Sequence, residues 1–228
     1  MCKIPTDYHE LDTIYNNILC NRLKIVGFSA ATKGSGVSSL IKSLAYRFQI
    51  AEQRVLIVDT NCHNPEFSRK YEAKAWGETA EFDDLIDVLM LPIAADDNKW
   101  LMKLKSNVAV EERLRELSRE YDVILMDTSA INNINRGNLP AERMLANCDA
   151  MYLVVKAGIA RRAEIIHAMT VISTHTLPLL GTVYNDVDNP SVAKELVREA
   201  RRLEKWLPRL SDWLSAKVSK SYMLNITL

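Results

Sequence analysis

The stretch Lys24-Ile25-Val26-Gly27-Phe28-Ser29-Ala30-Ala31-Thr32-Lys33-Gly34-Ser35-Gly36-Val37-Ser38-Ser39-Leu40 joins a short apolar run to a glycine-bearing loop and then to an amphipathic segment. This order predicts a strand, a loop and the start of a helix. Residues 31–38 follow the phosphate-binding P-loop pattern of a small residue, four variable residues and Gly-Lys-Ser/Thr, except that Val37 stands in the lysine position. The sequence therefore predicts a P-loop without its usual cation.

The residue types of this loop suit an anion. Gly34 and Gly36 allow backbone N–H groups to turn inward, and the dipole of the following helix favours negative charge. Ser38 or Ser39 offers a hydroxyl to Mg²⁺, and Lys33 is an alternative cation on the loop itself. Without the usual lysine, a charge-assisted hydrogen bond of about 1.5–3 kcal/mol is missing, so ATP affinity should fall roughly ten- to a hundredfold. A plain Gly/Ser turn is the structural alternative.

Composition limits the class of protein. The 228 residues suffice for one sizeable α/β domain, and 29 basic residues balance 29 acidic ones, so no net charge favours nucleic acid. The cysteines are scattered without a C-x-x-C pair, as expected for reduced thiols. No apolar run approaches the roughly 20 residues that span a bilayer, and the N-terminus lacks a signal-peptide pattern. We expect a cytoplasmic protein without a nucleic-acid partner.

Apolar patterning predicts one α/β domain over residues 1–228, with a doubly wound, mostly parallel sheet flanked by helices. Together with the P-loop pattern, this is the fold expected of a P-loop NTPase. A leader helix is expected over residues 5–22. Strands are expected at residues 24–28, 54–59, 121–127, 150–156 and 180–185, and helices follow the P-loop and cover residues 98–120 and 161–175. Residues 85–94 fit a helix end or a buried strand, and Pro92 favours the strand. The polar segment before them shows little periodicity.

Polar residues stand at the carboxyl ends of these strands, where doubly wound sheets bind their ligands. Gly34, Asp59, Asp127 and Asn185 all occupy such positions. Either aspartate could simply cap a turn, but the order of strands and P-loop favours a metal-site role for both. Asn185 could equally be a turn residue.

The order of motifs resembles one family. After the P-loop come Asp59-Thr60-Asn61-Cys62-His63-Asn64-Pro65, Asp127-Thr128 and Gly181-Thr182-Val183-Tyr184-Asn185. Over about residues 8–188 this is similar to the cytoplasmic bacterial tyrosine autokinases (BY-kinases) of capsule and exopolysaccharide assembly, which share a superfamily with partitioning and septum-positioning ATPases.

The resemblance implies a nucleotide site with ATP or ADP and Mg²⁺. Asp127 takes the Walker B position, and Asn185 is placed to read the adenine edge. Asp59 and Asp127 are the implied catalytic residues. The implied nucleotide-binding residues are Lys33, Gly34, Ser35, Gly36, Val37, Ser38, Ser39 and Asn185, and the implied Mg²⁺ ligands are Ser38, Asp59 and Asp127.

Departures from the family pattern predict impaired catalysis. They are Val37 in the P-loop, Asn61 and His63 in the second motif, His9, Asp12 and Tyr15 in place of the ring-forming Glu-x-x-Arg-x-x-Arg of the leader helix, and Tyr222 as the sole tyrosine after residue 210. We therefore predict a weakly active or inactive relative of these kinases that self-associates. It would regulate a membrane polysaccharide co-polymerase or another assembly protein at the inner face of the membrane. The alternatives are an active autokinase or ATPase that uses Lys33 and, less well matched, a positioning ATPase.

The C-terminal tail, residues 191–228, has an apolar stripe opposite basic residues over its first part. Such a basic amphipathic helix can pack on its own domain or dock to a partner. Self-packing is the first expectation. Partner docking of the half beyond Pro208 is the second, with Trp213 in that half and Trp206, just before the proline, as interface anchors.

Overall fold

The computed structural model describes residues 8–61, 65–67, 79–89, 107–133 and 139–186. The strands there are β1 Ile25–Ala30, β2 Val55–Asp59, β3 Thr79–Asp83, β4 Ile86–Leu89, β5 Val123–Asp127, β6 Ala150–Lys156 and β7 Leu179–Asn185. The helices are α1 His9–Cys20, α2 Val37–Ile50, α3 Asn107–Leu117, α4 Ala141–Leu145 and α5 Arg162–Thr174.

The strands form one sheet in the order β3-β4-β2-β5-β1-β6-β7, in which only the β3–β4 pair is antiparallel. All five residues of β2 and of β5 are buried, because helices and loops cover both faces of the sheet centre. Strand β1 lies between β5 and β6, where the chain path reverses direction across the sheet. The predicted doubly wound α/β fold is confirmed, and it places the P-loop at the reversal point.

Helix α1 packs against α2, as the leader-helix prediction required, although the described helix is shorter than residues 5–22. Tyr15 is buried with its ring 4.8 Å from that of Phe48. The Arg47 guanidinium lies 4.2 Å from the centre of the Tyr15 ring, and its Nε is 2.6 Å from Asp12 Oδ1. Two of the positions that correspond to the ring motif of the resembled family therefore make contacts within this chain. Leu19 recurs at helical spacing with the buried apolar residues of α1, but it is exposed.

Helix α2 follows the P-loop and buries an apolar face formed by Leu40, Ile41, Leu44 and Phe48. Burying a side chain of this size stabilises a fold by about 1.5–3 kcal/mol. This face anchors the helix, and hence the loop before it, to the sheet.

Two short elements differ from the predictions. Strand β3 lies in the polar segment where no element was expected, and α4 follows Pro140. Residues 86–89 of the ambiguous segment form a strand, as Pro92 favoured. Four predicted regions lie wholly or partly outside the described residues: residues 62–64 of the second motif, the end of the 85–94 segment, the start of the 98–120 helix, and the tail 191–228 with Tyr222. The extent of the domain over residues 1–228 therefore stays a prediction. No helix in the described ranges has the length and apolar character needed to cross a membrane.

Candidate functional site

The loop between β1 and α2 has the backbone form of an anion cradle. Gly34 and Gly36 have φ values of 75° and 89°, which glycine adopts at little cost. Gly36 is the N-cap residue of α2, and no side chain caps the start of this helix. The Gly36 carbonyl accepts the first helical hydrogen bond from Leu40 N at 3.0 Å. The first N–H groups of a helix have no partner within the helix, so they are available to a negatively charged ligand.

Side chains within the loop fix its first half. Ser35 Oγ donates to the carbonyl oxygen of Thr32 at 2.7 Å and lies 3.0 Å from Thr32 Oγ1. Ser35 is buried, so its hydroxyl is used inside the loop. Its contribution to a bound anion would come from its backbone.

Ser38 and Asp127 form a hydrogen-bonded polar pair at the carboxyl end of the P-loop. Ser38 Oγ donates to Asp127 Oδ2 at 2.5 Å, whereas Ser39 is exposed. Asp127 is fully buried, and within the described residues its Oδ1 has no hydrogen-bond partner. Burial raises the pKa of Asp127 well above its ordinary value of 3.8, and repulsion from Asp59 raises it further. An unpaired carboxylate oxygen beside a serine hydroxyl suits Mg²⁺, which prefers oxygen ligands, so the residues fit the ion that the family resemblance implies.

Asp59 stands next to Asp127, because the two are register partners on β2 and β5. Its carboxylate accepts hydrogen bonds from the backbone N–H groups of Asn61, Glu66 and Phe67 at 3.0, 2.8 and 3.1 Å. Burial raises the pKa of Asp59, and these hydrogen bonds oppose the rise. Asp59 therefore organises the loop that follows β2, and its metal and catalytic roles stay predictions.

The described residues contain no group of three or more His, Cys, Asp or Glu side chains arranged to hold a metal ion. Mg²⁺ commonly binds through one or two carboxylates and substrate phosphates and keeps several waters. An ion at Asp127 would therefore depend on a nucleotide for part of its shell.

Asn185 contacts the P-loop directly. Its Nδ2 donates to the carbonyl oxygen of Ser35 at 2.8 Å from the carboxyl end of β7. A Cβ added to Gly36 would collide with the same nitrogen. The structure thus brings Asn185 to the loop, and its contact with adenine stays a prediction.

Lys156 is a loop contact that the sequence analysis did not single out. It ends β6, and its Nζ donates to the carbonyl oxygen of Gly34 at 3.3 Å. Its register partner on β7 is Asn185. A lysine at the end of a strand beside β1 is the only sequence signal for this contact.

The lysine position itself is apolar. Val37 begins α2 and is 9 % exposed within the core cluster that includes Leu40 and Ile41. Lys33 is exposed on the loop. The structure therefore brings together the loop, Ser38, Asp127, Asp59 and Asn185, with Lys33 at the solvent side.

No protein-family model matches this sequence, and no curated protein matches it either. Among solved structures, the BceF tyrosine kinase domain has a TM-score of 0.63 and 18% identity over 78% of this chain and 74% of that chain. The kinase domain of the Escherichia coli tyrosine kinase ETK has a TM-score of 0.62 and 16% identity over 77% and 72% of the two chains. The septum site-determining protein MinD with Mg-ADP, from Pyrococcus horikoshii OT3, has a TM-score of 0.54 and 19% identity over 73% and 72%. The chain therefore has the fold of these kinase domains and of MinD, and the resemblance inferred from motif order is confirmed at the level of fold.

Proposed function

We propose that this chain is a BY-kinase-like P-loop protein of capsule or exopolysaccharide assembly. It binds Mg-nucleotide weakly, transfers phosphate poorly or not at all, and regulates a membrane polysaccharide co-polymerase or another assembly protein from the cytoplasmic side. The observation that supports it best is the combination of an intact cradle and Ser38–Asp127 pair with a buried valine in the lysine position.

The cradle would hold phosphate through backbone N–H groups between Gly34 and Ser38. Ser38 Oγ and Asp127 would hold Mg²⁺, which supplies positive charge against the phosphates when bound. Asn185 is the proposed contact to adenine, and Asp59 is a proposed neighbour of the ion. The support for Mg²⁺ is Asp127 Oδ1, which has no hydrogen-bond partner among the described residues and belongs to the carboxylate that the Ser38 hydroxyl contacts.

Weak transfer follows from the charges at the site. Phosphoryl transfer depends on positioning and on stabilising charge that builds up on the transferred group. The aliphatic side chain of Val37 cannot supply that charge, and Asp59 is already engaged by three backbone N–H groups. Nucleotide would therefore serve as a regulatory ligand rather than as a rapidly consumed substrate.

The regulatory role and the membrane partner come from the family resemblance. Self-association belongs to the same proposal, but it would need a surface other than that of Asp12 and Tyr15, because Arg47 of the same chain occupies both.

A second candidate is an active autokinase or ATPase in which Lys33 replaces the missing lysine. The exposure of Lys33 on the loop favours it. The Lys33 side chain would then have to reach the phosphates bound by its own subunit or by a neighbouring one.

Titration of a fluorescent ATP analogue with Mg²⁺ tests the nucleotide part of the proposal. Restoring the cation in Val37→Lys should tighten binding about ten- to a hundredfold, because a charge-assisted hydrogen bond to phosphate is regained. Val37→Met is the matched control, since it lengthens the same side chain without a charge, and its affinity should equal that of the parent. A folded Val37→Lys variant that binds no more tightly than Val37→Met would contradict the proposal.

Complementation separates the two candidates. Deletion of the gene should change the amount or chain length of the exopolysaccharide, and a Lys33→Ala copy should restore it if the role is regulatory. A Lys33→Ala copy that fails to restore it, although the protein accumulates normally, would favour the active enzyme.

A further inference from the structure

The carboxyl ends of β6 and β7 contact the P-loop at Gly34 and Ser35 from one side. Lys156 Nζ bonds to the carbonyl oxygen of Gly34 at 3.3 Å, and Asn185 Nδ2 bonds to the carbonyl oxygen of Ser35 at 2.8 Å. Lys156 and Asn185 are register partners, so the two donors stand side by side and hold two consecutive carbonyl groups.

We propose that Lys156 is a positioning residue that, together with Asn185, holds the P-loop in its anion-binding form, so that the cradle stays formed without a lysine at position 37. The two residues and their bonds to Gly34 and Ser35 are called the loop brace below. The ligand of the braced loop, a nucleotide phosphate, rests on the proposed function, whereas the brace itself is a property of the free protein.

Peptide geometry gives the brace its effect. In a trans peptide the C=O of one residue and the N–H of the next point in opposite directions. A Gly34 carbonyl held toward Lys156 therefore turns the N–H of Ser35 away from β6, and a Ser35 carbonyl held toward Asn185 does the same for the N–H of Gly36. Both N–H groups are thus directed to the side of the loop where an anion would bind.

The loop needs this support because its backbone is unusual. Gly34 and Gly36 both have positive φ, and apart from its chain neighbours no described residue has an atom within 4 Å of the position that a Cβ of Gly34 would take. Packing therefore does not hold Gly34 on that side. The hydrogen bonds between Ser35 and Thr32 involve the Ser35 hydroxyl and do not involve the carbonyl of Gly34 or of Ser35.

Charge strengthens the argument for Lys156. A hydrogen bond from an ammonium group is stronger than one between neutral groups. The bond also brings a positive charge to the outside of a loop whose own position 37 carries none. Lys156 contacts the backbone of the loop, so its proposed role is to position the loop.

The test measures backbone order parameters of the ligand-free chain by NMR. In the parent the amides of Gly34, Ser35 and Gly36 should be rigid, with order parameters of about 0.85. In the double variant Lys156→Met with Asn185→Ala they should fall below about 0.6, and Lys156→Met alone should give a smaller fall. The methionine keeps most of the side-chain stem, so the variant removes the ammonium group with little loss of packing.

Lys24→Met is the matched control. Lys24 Nζ donates to the carbonyl oxygen of Tyr121 at 3.4 Å, a bond of the same kind at the opposite end of the sheet. This variant should lower stability as much as Lys156→Met does and leave the loop amides rigid. Loop order parameters in Lys156→Met and in the double variant that equal those of Lys24→Met would overturn the brace.

ADP titration of the same proteins adds the functional consequence. Affinity should fall about three- to tenfold in Lys156→Met, because one modest hydrogen bond is lost indirectly. A parent chain that binds no ADP would contradict the proposed function. The order parameters of the loop amides would still show whether the loop brace holds the loop rigid. Parent binding that Lys156→Met leaves unchanged would overturn the role of Lys156 while leaving the proposed function standing.

Discussion

Asp127→Asn should stabilise the protein at neutral pH, because the Asp127 carboxylate suits a bound cation and its negative charge destabilises the fold without one. Its side chain is fully buried, its Oδ1 is unpaired within the described residues, and the charge of Asp59 repels it. Burial and the neighbouring Asp59 both disfavour the ionised carboxylate, so removing its charge should raise the free energy of unfolding by about 1–3 kcal/mol, the order of the penalty for an unsatisfied buried group. The asparagine oxygen can still accept the hydrogen bond of Ser38.

The gain should depend on pH with a defined sign. Because the pKa of Asp127 is raised in the folded state, the folded protein binds more protons than the unfolded chain between pH 3.8 and that raised pKa. The stability of the parent therefore falls as the pH rises through this window. The advantage of Asp127→Asn should be largest above the window and vanish near and below pH 3.8.

Urea unfolding in EDTA from pH 4 to pH 8 measures the effect, with thermal melts in parallel, where each kcal/mol corresponds to about 2–4 °C in Tm. Asp122→Asn is the control, because it changes an exposed aspartate at the other end of β5. Saturating Mg-nucleotide should reduce the difference by stabilising the parent more than the variant. An Asp127→Asn variant that is less stable than the parent at pH 8, or whose gain does not shrink toward pH 4, would refute the reasoning.

Three further experiments test individual parts of the structure. Gly36→Ala should lower stability more than Gly34→Ala does. Both substitutions force a residue with a Cβ into positive φ, at a cost of about 1–2 kcal/mol, but only at Gly36 does the new Cβ collide with Asn185. Equal Tm values for the two variants would contradict this. Arg47→Met should lower stability by about 1 kcal/mol through loss of its part-buried ion pair with Asp12 and its contact with Tyr15, and unchanged urea unfolding would contradict it. Burial raises the pKa of the Cys148 thiol far above its usual value, so iodoacetamide at pH 8 should leave it unmodified by mass spectrometry until the chain unfolds.

The centre of the sheet could be predicted because burial on both faces leaves its mark on the sequence. The strands β2 and β5 appear as continuous apolar runs that end in Asp59 and Asp127, and their parallel pairing puts the two carboxylates side by side. Strand β3 was missed because it is an edge strand with alternating exposure and charged residues, Thr79-Ala80-Glu81-Phe82-Asp83. A helix as short as α4 carries too few turns to show a period.

The polar contacts of the site could be predicted only in part. The glycine pattern and the strand ends indicated the cradle and the pair Ser38 and Asp127. The bonds from Lys156 and Asn185 to the loop join residues more than a hundred positions apart, and they depend on the register between β6 and β7, which includes an irregularity at the start of β7. Sequence periodicity does not fix such a register to one residue.

Phosphate release from Mg-ATP by the parent chain tests the central claim most directly, namely that this is a nucleotide-binding relative of the tyrosine kinases with little or no turnover. The measurement compares the parent with Lys33→Ala and with Val37→Lys at an ATP concentration that saturates the parent. We expect the parent and Lys33→Ala to release phosphate at the same rate, close to that of buffer alone. Appreciable release by the parent that Lys33→Ala abolishes would contradict the account.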